Sequence, residues 1–152
     1  MRSVGPWDKT TGEAAVDGGH SEILDYLIKY PKLFSTNACR IAAEQGNLKL
    51  LAWLRNRNVE WNGSVVYEAA RVGHEEIVSW AKQKQCPLDR HVAVGIQEAV
   101  FDNNVRALQI LHAHGYCGES QIDICRSASM YDKMDVLEWA HQEDFEWDAL
   151  TC

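Results

Sequence analysis

The residues best suited to metal chemistry lie within one short stretch. His112, His114 and Cys117 are possible ligands for a zinc ion, whose bound water would make a metal-assisted hydrolase one candidate function. Two physical arguments weigh against such a site. Residues two positions apart on a helix do not face each other, and a structural zinc site requires four ligands at regular spacing. We therefore expect no metal and keep the hydrolase only as a minor alternative.

Two pairs of adjacent acids, Glu75-Glu76 and Glu143-Asp144, are the next candidates for chemistry. Carboxylates that share a proton must face each other, whereas neighbours in a helix point in different directions. The sequence also contains no Gly-x-Ser-x-Gly, phosphate-loop or His-Glu-x-x-His motif. It therefore predicts a protein without catalytic activity and without a cofactor.

Charge and composition limit the classes of partner that the chain can bind and indicate the compartment in which it works. The 152 residues carry a net charge of −7, which disfavours nucleic-acid binding because that requires a positive surface. No apolar run is long enough for a transmembrane helix, and the first residues lack the apolar core of a secretory signal. Five cysteines without a Cys-x-x-Cys pair are typical of buried thiols in a reducing compartment. We expect an intracellular, cytoplasmic monomer that binds neither nucleic acid nor membranes.

One short pattern recurs five times, at spacings of 27, 27, 30 and 29 residues. In each copy a pair of small residues is followed three positions later by a residue that favours a turn, and then by an apolar helix face. A period of this length is typical of stacked repeats. The small pairs are Ala15-Val16, Ala42-Ala43, Ala69-Ala70, Ala99-Val100 and Ala128-Ser129, and the turn residues are Gly19, Gly46, Gly73, Asn103 and Asp132.

These columns predict two helices in each copy. Small residues let a first helix pack closely against its neighbours, and Gly, Asn and Asp tolerate the left-handed backbone of a tight turn. The apolar residues after the turn form one face of a second helix. Because a single pair cannot bury that face alone, the pairs must stack. The last column of that face contains Tyr26, Trp53, Trp80, Ile110 and Trp139.

Turn and cap signals place the helix ends. Thr10, Asn37 and Ser64 are the predicted N-caps of the first three first helices. The second helices are expected over about residues 21–30, 48–56, 75–85 and 134–142, with Pro31 ending the first of them. The fourth copy contains extra residues, and we assign them to a longer loop from Leu88 to Val94.

The aromatic and histidine columns have structural interpretations. Trp53, Trp80 and Trp139 are expected to pack in the core, whereas a second set in the connectors is expected to attach each connector to the next pair. His20 and His74, which follow the turns, are expected to bond the backbone across the turn and between pairs rather than to act as bases. The connector set is Trp7, Trp61 and Trp147.

The third copy, Ala69-Ala70-Arg71-Val72-Gly73-His74-Glu75-Glu76-Ile77-Val78, resembles the core of an ankyrin repeat, Ala-Ala-x-x-Gly-His-x-Glu-Val-Val. The resemblance covers about residues 6–152. The copies are shorter than the usual ankyrin period of about 33 residues, and the usual Thr-Pro-Leu-His opening is absent. The resemblance implies an all-α, ankyrin-like α-solenoid of about five stacked helix-turn-helix repeats with short or irregular fingers. Such compact, Trp-rich repeats are similar to those of large DNA viruses and protists.

The same resemblance divides the chain. It implies a single domain, 1–152, with repeats at about 7–33, 34–60, 61–87, 88–118 and 119–146. Residues 147–152 match the opening of a sixth, truncated repeat, because Trp147 falls in the column of Trp61.

Binding residues follow from the resemblance as well. In ankyrin arrays the positions after the small pair line a concave groove, and in this chain those positions differ from copy to copy, with Ile41 and Glu68 beside them. This implies a non-catalytic module that binds a partner protein through the concave surface, with an adaptor as one role it could have. The alternative is a purely architectural segment of a longer array with no ligand of its own. The groove candidates are Glu44, Gln45, Arg71, Val72, Phe101, Asp102, Met130 and Tyr131.

Overall fold

The computed structural model describes residues 8–145, and within that range it contains ten α-helices and no β-strand. Short 3₁₀ turns at Pro31–Leu33 and Gly118–Ser120 interrupt two connectors. Trp7, Trp147 and the opening of a sixth repeat at 147–152 lie outside the described residues. The helices are α1 (Lys9–Gly18), α2 (Ser21–Leu27), α3 (Thr36–Glu44), α4 (Leu48–Asn56), α5 (Ser64–Val72), α6 (Glu75–Gln83), α7 (Arg90–Phe101), α8 (Val105–Ala113), α9 (Gln121–Met130) and α10 (Met134–Gln142).

The helices are arranged in consecutive pairs. Each first helix packs against the first helices of the neighbouring pairs, so that α1, α3, α5, α7 and α9 form one row. Each second helix packs against its own first helix, and α8 also packs against α5. The prediction of an all-α chain is confirmed, and the sequential packing is consistent with a repeat-like stack.

The turn inside each pair has one conformation in all five copies. Its central residue is left-handed in each, with φ between 55° and 91°, at Gly19, Gly46, Gly73, Asn103 and Asp132. In four copies the next residue donates its backbone N–H to the carbonyl of the first alanine of the small pair, which closes a Schellman motif. The predicted role of this column is therefore confirmed. These bonds are Asn47 to Ala42, His74 to Ala69, Asn104 to Ala99 and Lys133 to Ala128, at 2.7–2.9 Å.

A second left-handed column, which the sequence pattern did not reveal, follows the second helices. Asn58, Gln85, Gly115 and Asp144 all have positive φ. In the first pair the equivalent position, 27 residues before Asn58, is Pro31, and the proline ring locks φ at a negative value. The chain there forms a 3₁₀ turn instead, and α2 ends at Leu27 rather than extending to Tyr30 as expected.

The N-caps of α1 and α3 lie two residues before the predicted ones, whereas the N-cap of α5 is Gly63, which makes no side-chain cap bond. Asp8 Oδ1 accepts from Thr10 N, Ser35 Oγ from Asn37 N, and Asn62 Oδ1 from Ser64 N. The expected cap residues are thus the hydrogen-bond donors, and the side chain that accepts each bond comes earlier, because a cap side chain reaches forward to the N–H two or three positions on.

The fourth pair lengthens a helix rather than a loop. Asp89 caps α7 by accepting from His91 N, and it lies 27 residues after Asn62, so the connector keeps the common spacing. The extra residues extend α7 to 12 residues, compared with nine in α3 and α5. The predicted loop from Leu88 to Val94 is therefore wrong, because Arg90 to Val94 are helical.

Packing between the helices confirms most of the core columns. The small pairs are buried except for Ser129, and the side chains of Cys39, Cys86, Cys117 and Cys125 are buried as well. Trp61 packs edge-on against Trp80 at 5.7 Å between ring centroids, with Arg55 of the preceding pair over its other side. Tyr26 is the exception in the aromatic column, since half of it is exposed.

Candidate functional site

The eight groove candidates occupy equivalent places in the row of first helices. They are the last residue of α3, α5, α7 or α9 or its immediate neighbour, just before the left-handed turn. All are exposed except Glu44, which is half-buried. The shared turn geometry therefore places them along one edge of the row. Two pairs of them touch across neighbouring helix pairs, Glu44 with Arg71 and Phe101 with Tyr131.

Along the first half of this edge every candidate except the exposed Val72 is polar, and the polar candidates bond to groups within the protein. Arg71 Nη2 lies 3.0 Å from Glu44 Oε1, and Arg71 Nε lies 2.8 Å from Glu68 Oε2. Arg40 approaches the same two carboxylates at 3.4 and 3.6 Å. Gln45 Nε2 donates to the backbone oxygen of Asp17 at 2.8 Å. These groups link α1, α3 and α5, so their hydrogen-bonding capacity is largely used within the protein.

Along the second half every candidate except Asp102 is apolar or aromatic, and all of them are open to solvent. Phe101, Met130 and Tyr131 are exposed by 59%, 69% and 50%. The rings of Phe101 and Tyr131 meet edge-to-face, with centroids 5.5 Å apart, which is a favourable geometry for an aromatic pair. Lys133 Nζ lies 5.2 Å from the centroid of Phe101. The aromatic pair is thus held in place while a large part of each ring remains accessible.

A groove of about 680 Å³ lies between α7 and α9, beside this aromatic pair. Phe101, Asp102 and Tyr131 line it, as predicted candidates. The sequence interpretation missed its other side chains on α7 and α9, which include Val94, Gln97, Glu98 and Asp123. A usable signal was present, because Val94, Gln97, Glu98 and Phe101 follow the three-to-four-residue spacing of one helix face. We call this feature the α7/α9 groove.

The pKa values of the buried Tyr67, the half-buried Tyr116 and three buried thiols are raised above their ordinary values. Burial raises the pKa of Tyr67 to about 12, and the carboxylates of Glu98 and Asp102 add to the effect. Burial also raises the pKa of Tyr116 and of the thiols of Cys39, Cys86 and Cys117 to about 12. A thiol with a raised pKa is a poor nucleophile. These groups therefore behave as packing residues.

The candidate metal ligands do not converge. The His112 ring packs against Trp139 and Phe145, with centroids 5.8 and 4.9 Å away, whereas His114 Nε2 lies 3.3 Å from Glu75 Oε1. Cys117 is buried beneath α8. Within residues 8–145 no group of three or more His, Cys, Asp or Glu side chains is placed to hold a metal ion. The geometry gives the hydrolase alternative no support.

The histidines after the turns also behave differently from the prediction. Neither His20 nor His74 makes a capping hydrogen bond with its side chain. The His74 ring instead lies against Gly46 of the preceding pair, where a side chain would overlap it. At the equivalent positions Asn47 and Asn104 do cap their helices, accepting from Leu50 N and Ala107 N. The predicted contact between pairs is present at His74, but it is a packing contact.

Comparisons with known proteins leave the family open. A scan of protein-family models, a search of curated proteins and a search of solved structures each give no significant match to this chain. Within residues 8–145 no helix combines the length and the apolar character that crossing a membrane requires. The features that bear on function are therefore the row of first helices and the edge of that row on which the eight candidates lie. We call it the open edge.

Proposed function

We propose that this chain is an ankyrin-like α-solenoid with short, irregular fingers and that it binds a partner protein without catalysing a reaction. Five left-handed turns in register support the ankyrin-like assignment, together with the alanines beneath them and the row of packed first helices. The binding surface is the open edge of that row, at the ends of the first helices. An adaptor that brings its partner to another protein is the role that such a module fits best.

One observation carries this proposal. Phe101 and Tyr131 touch each other and line the α7/α9 groove, Met130 precedes Tyr131 in the chain, and each of the three side chains is at least half exposed. Contiguous exposed apolar surface is unfavourable in water and marks interaction sites in soluble proteins. Aromatic side chains are also the commonest anchors of protein interfaces. The partner is therefore expected to contact the last two pairs rather than the whole edge.

A second candidate function rests on the other half of the edge. Glu44, Arg71, Glu68 and Arg40 form an ion-pair network, and Gln45 bonds Asp17. These contacts join successive pairs and leave few polar groups for a ligand. This half supports the architectural alternative, in which the row serves only to connect other parts of a longer array.

Quantitative capture from a lysate of the source cells distinguishes the two candidates. The test variant is Phe101→Ser with Tyr131→Ser, and the matched control is Ile23→Ser with Leu88→Ser, which removes two exposed apolar side chains elsewhere. A partner captured by the wild type and the control but lost with the test variant supports binding at the open edge. Equal capture by all three proteins, or by none, favours the architectural alternative. Arg71 stays unchanged, because its replacement would disturb the ion-pair network.

A further inference from the structure

The α7/α9 groove combines apolar side chains with charged side chains that are all acidic. Val94, Phe101 and Tyr131 provide exposed apolar surface, and the acidic side chains of Glu98, Asp102 and Asp123 line the same groove. No lysine or arginine is among the lining residues. An occupant therefore meets apolar surface and negative charge at the same time.

Two of the three carboxylates have no ion-pair partner among residues 8–145. Asp123 lies 3.3 Å from Arg126 Nη1, but Glu98 and Asp102 form no salt bridge within that part of the chain. The contrast with the other half of the edge is direct, because Glu44 and Glu68 are each within 3.6 Å of two arginines there. Lys133 Nζ lies 5.2 Å from the centroid of Phe101 beside the groove, but among residues 8–145 it forms no ion pair with Glu98 or Asp102, so the negative charge of the α7/α9 groove is only partly compensated.

The pKa of a neighbouring buried tyrosine is affected by this negative charge. Tyr67 of α5 packs beneath α7 against Gly95, and after burial the carboxylates of Glu98 and Asp102 are the next largest causes of its raised pKa. A negative potential at this end of α7 disfavours a tyrosinate there. It favours a positive charge on any molecule that approaches the groove.

We infer that the α7/α9 groove binds a cationic segment of a partner protein, in which lysine or arginine flanks a large apolar anchor. The anchor packs between Val94 and the Phe101–Tyr131 pair, and the cationic groups pair with Glu98 and Asp102. An arginine has the additional option of stacking on the exposed face of Tyr131. This inference rests on the proposed function and specifies the chemistry of the partner.

The three carboxylates disfavour occupants that carry negative charge. An acidic segment or a nucleic acid would place negative charge beside three carboxylates. A second copy of this chain has a net charge of −7, and its Arg55 and Arg57 already lie over the rings of Trp61 and Trp53. A cationic segment of a different protein is the occupant that complements both the charge and the apolar walls.

Selection from a random-peptide display library tests the inference with a defined probe. Peptides are kept when they bind the wild type but not the Phe101→Ser, Tyr131→Ser variant, so that only binders dependent on the groove are counted. The expected result is enrichment of lysine or arginine beside an aromatic or large aliphatic residue. The most enriched peptide is then measured against two charge variants at low and high salt.

The charge variants are matched in net charge. The test variant is Glu98→Gln, Asp102→Asn, Asp123→Asn, and the control is Glu22→Gln, Glu76→Gln, Glu138→Gln, which neutralises three exposed acids on second helices. We expect roughly tenfold weaker binding with the test variant. With the control we expect only the small change that follows from the altered net charge. Binding to the wild type should also weaken as salt rises.

The outcomes separate this inference from the proposed function. Groove-dependent peptides that are neutral or acidic, or that bind both charge variants equally, would overturn the cationic partner and leave the binding module intact. The absence of any groove-dependent peptide would overturn both. A dimer in sedimentation experiments that is lost with Phe101→Ser, Tyr131→Ser would assign the groove to a second copy of the chain and would also overturn the cationic partner.

Discussion

Arg71 Nη2 lies 3.0 Å from Oε1 of Glu44, although the two residues are 27 positions apart in the chain and belong to neighbouring helix pairs. The contact arises because the two side chains occupy the same place on successive first helices. Farther along the row the same place holds Phe101 and then Met130, which cannot form ion pairs. One structural column thus links pairs in its first half and exposes apolar surface in its second.

The ion pair predicts a modest contribution to stability. Both side chains are more than a third exposed, so Arg71→Ala should lower the free energy of unfolding by less than about 1 kcal/mol. Arg71→Glu should cost more, because it places a third carboxylate beside Glu44 and Glu68. Adding Glu44→Arg to Arg71→Glu should restore part of the loss. Urea unfolding of the wild type, Arg71→Glu, Glu44→Arg and the double variant measures the coupling between the two positions. No recovery of stability in the double variant would contradict the ion pair.

The left-handed turn column predicts opposite effects of two substitutions. Gly73 has a φ of 91°, and a side chain there would also press on Arg106, so Gly73→Val should cost about 2–3 kcal/mol. Asp132 has a φ of 57° in the equivalent turn, and Asp132→Gly should stabilise by up to about 1 kcal/mol. Thermal melts compare both with the wild type. A Gly73→Val protein as stable as the wild type would contradict the repeat assignment.

The small-pair column predicts a difference between the middle and the last pair. Ala70 is fully buried between first helices, so Ala70→Glu buries an unpaired charge and should cost about 4 kcal/mol or more. Ser129 occupies the same column in the last pair but is exposed, so Ser129→Glu should change stability by no more than about 0.5 kcal/mol. Chemical denaturation checks both values. Similar costs at the two positions would mean that Ser129 is covered.

The contact between Gly95 and Tyr67 predicts that Gly95→Ala changes the free energy of unfolding in opposite directions with and without the Tyr67 ring. A methyl group at Gly95 would overlap the ring of Tyr67, so Gly95→Ala should cost about 1–3 kcal/mol by overpacking. In a Tyr67→Ala background the ring is gone, and the same change should stabilise α7 by up to about 1 kcal/mol because alanine favours a helix more than glycine does. A double-mutant cycle by urea unfolding measures the coupling. A cost that stays the same in both backgrounds would contradict the contact.

The raised pKa values of three thiols and two tyrosines predict that the protein loses stability in alkali. Cys39, Cys86 and Cys117 have a pKa of about 12 in the folded protein, against an ordinary value of 9.0. Above pH 9 the unfolded chain therefore releases protons that the folded chain retains, and the free energy of unfolding falls as the pH rises toward 12. Tyr67 and Tyr116 add to the fall above pH 10.

The slope of stability against pH is the measurement. Replacing the three cysteines with alanine should flatten the fall between pH 9 and pH 10, whatever the change in absolute stability at pH 8. Replacing Cys152, which lies outside the described residues, serves as a control for titration elsewhere. An unchanged slope in the triple variant would show that these thiols are not the groups responsible.

Local rules determined much of the fold. The turn column was predictable because a left-handed residue at a helix end favours Gly, Asn or Asp, and the alanines next to it are small enough for closely packed helices. The helix bounds of α4 and α10 followed from the apolar spacing and agree with the structure. The second left-handed column was less predictable, because Gln85 has a positive φ although glutamine gives no turn signal.

The division of the edge into two halves was decided by tertiary structure. The sequence alone placed Glu44, Arg71 and Phe101 in one column and Tyr131 in the next, because a repeat period needs no knowledge of distances. Whether two such residues touch depends on the spacing of neighbouring first helices, which brings Arg71 to Glu44 and Phe101 to Tyr131. The added residues of the fourth copy could extend a loop or a helix, and packing of α7 against α5 and α9 made them helical. That packing also created the α7/α9 groove, which brings side chains from distant parts of the sequence together.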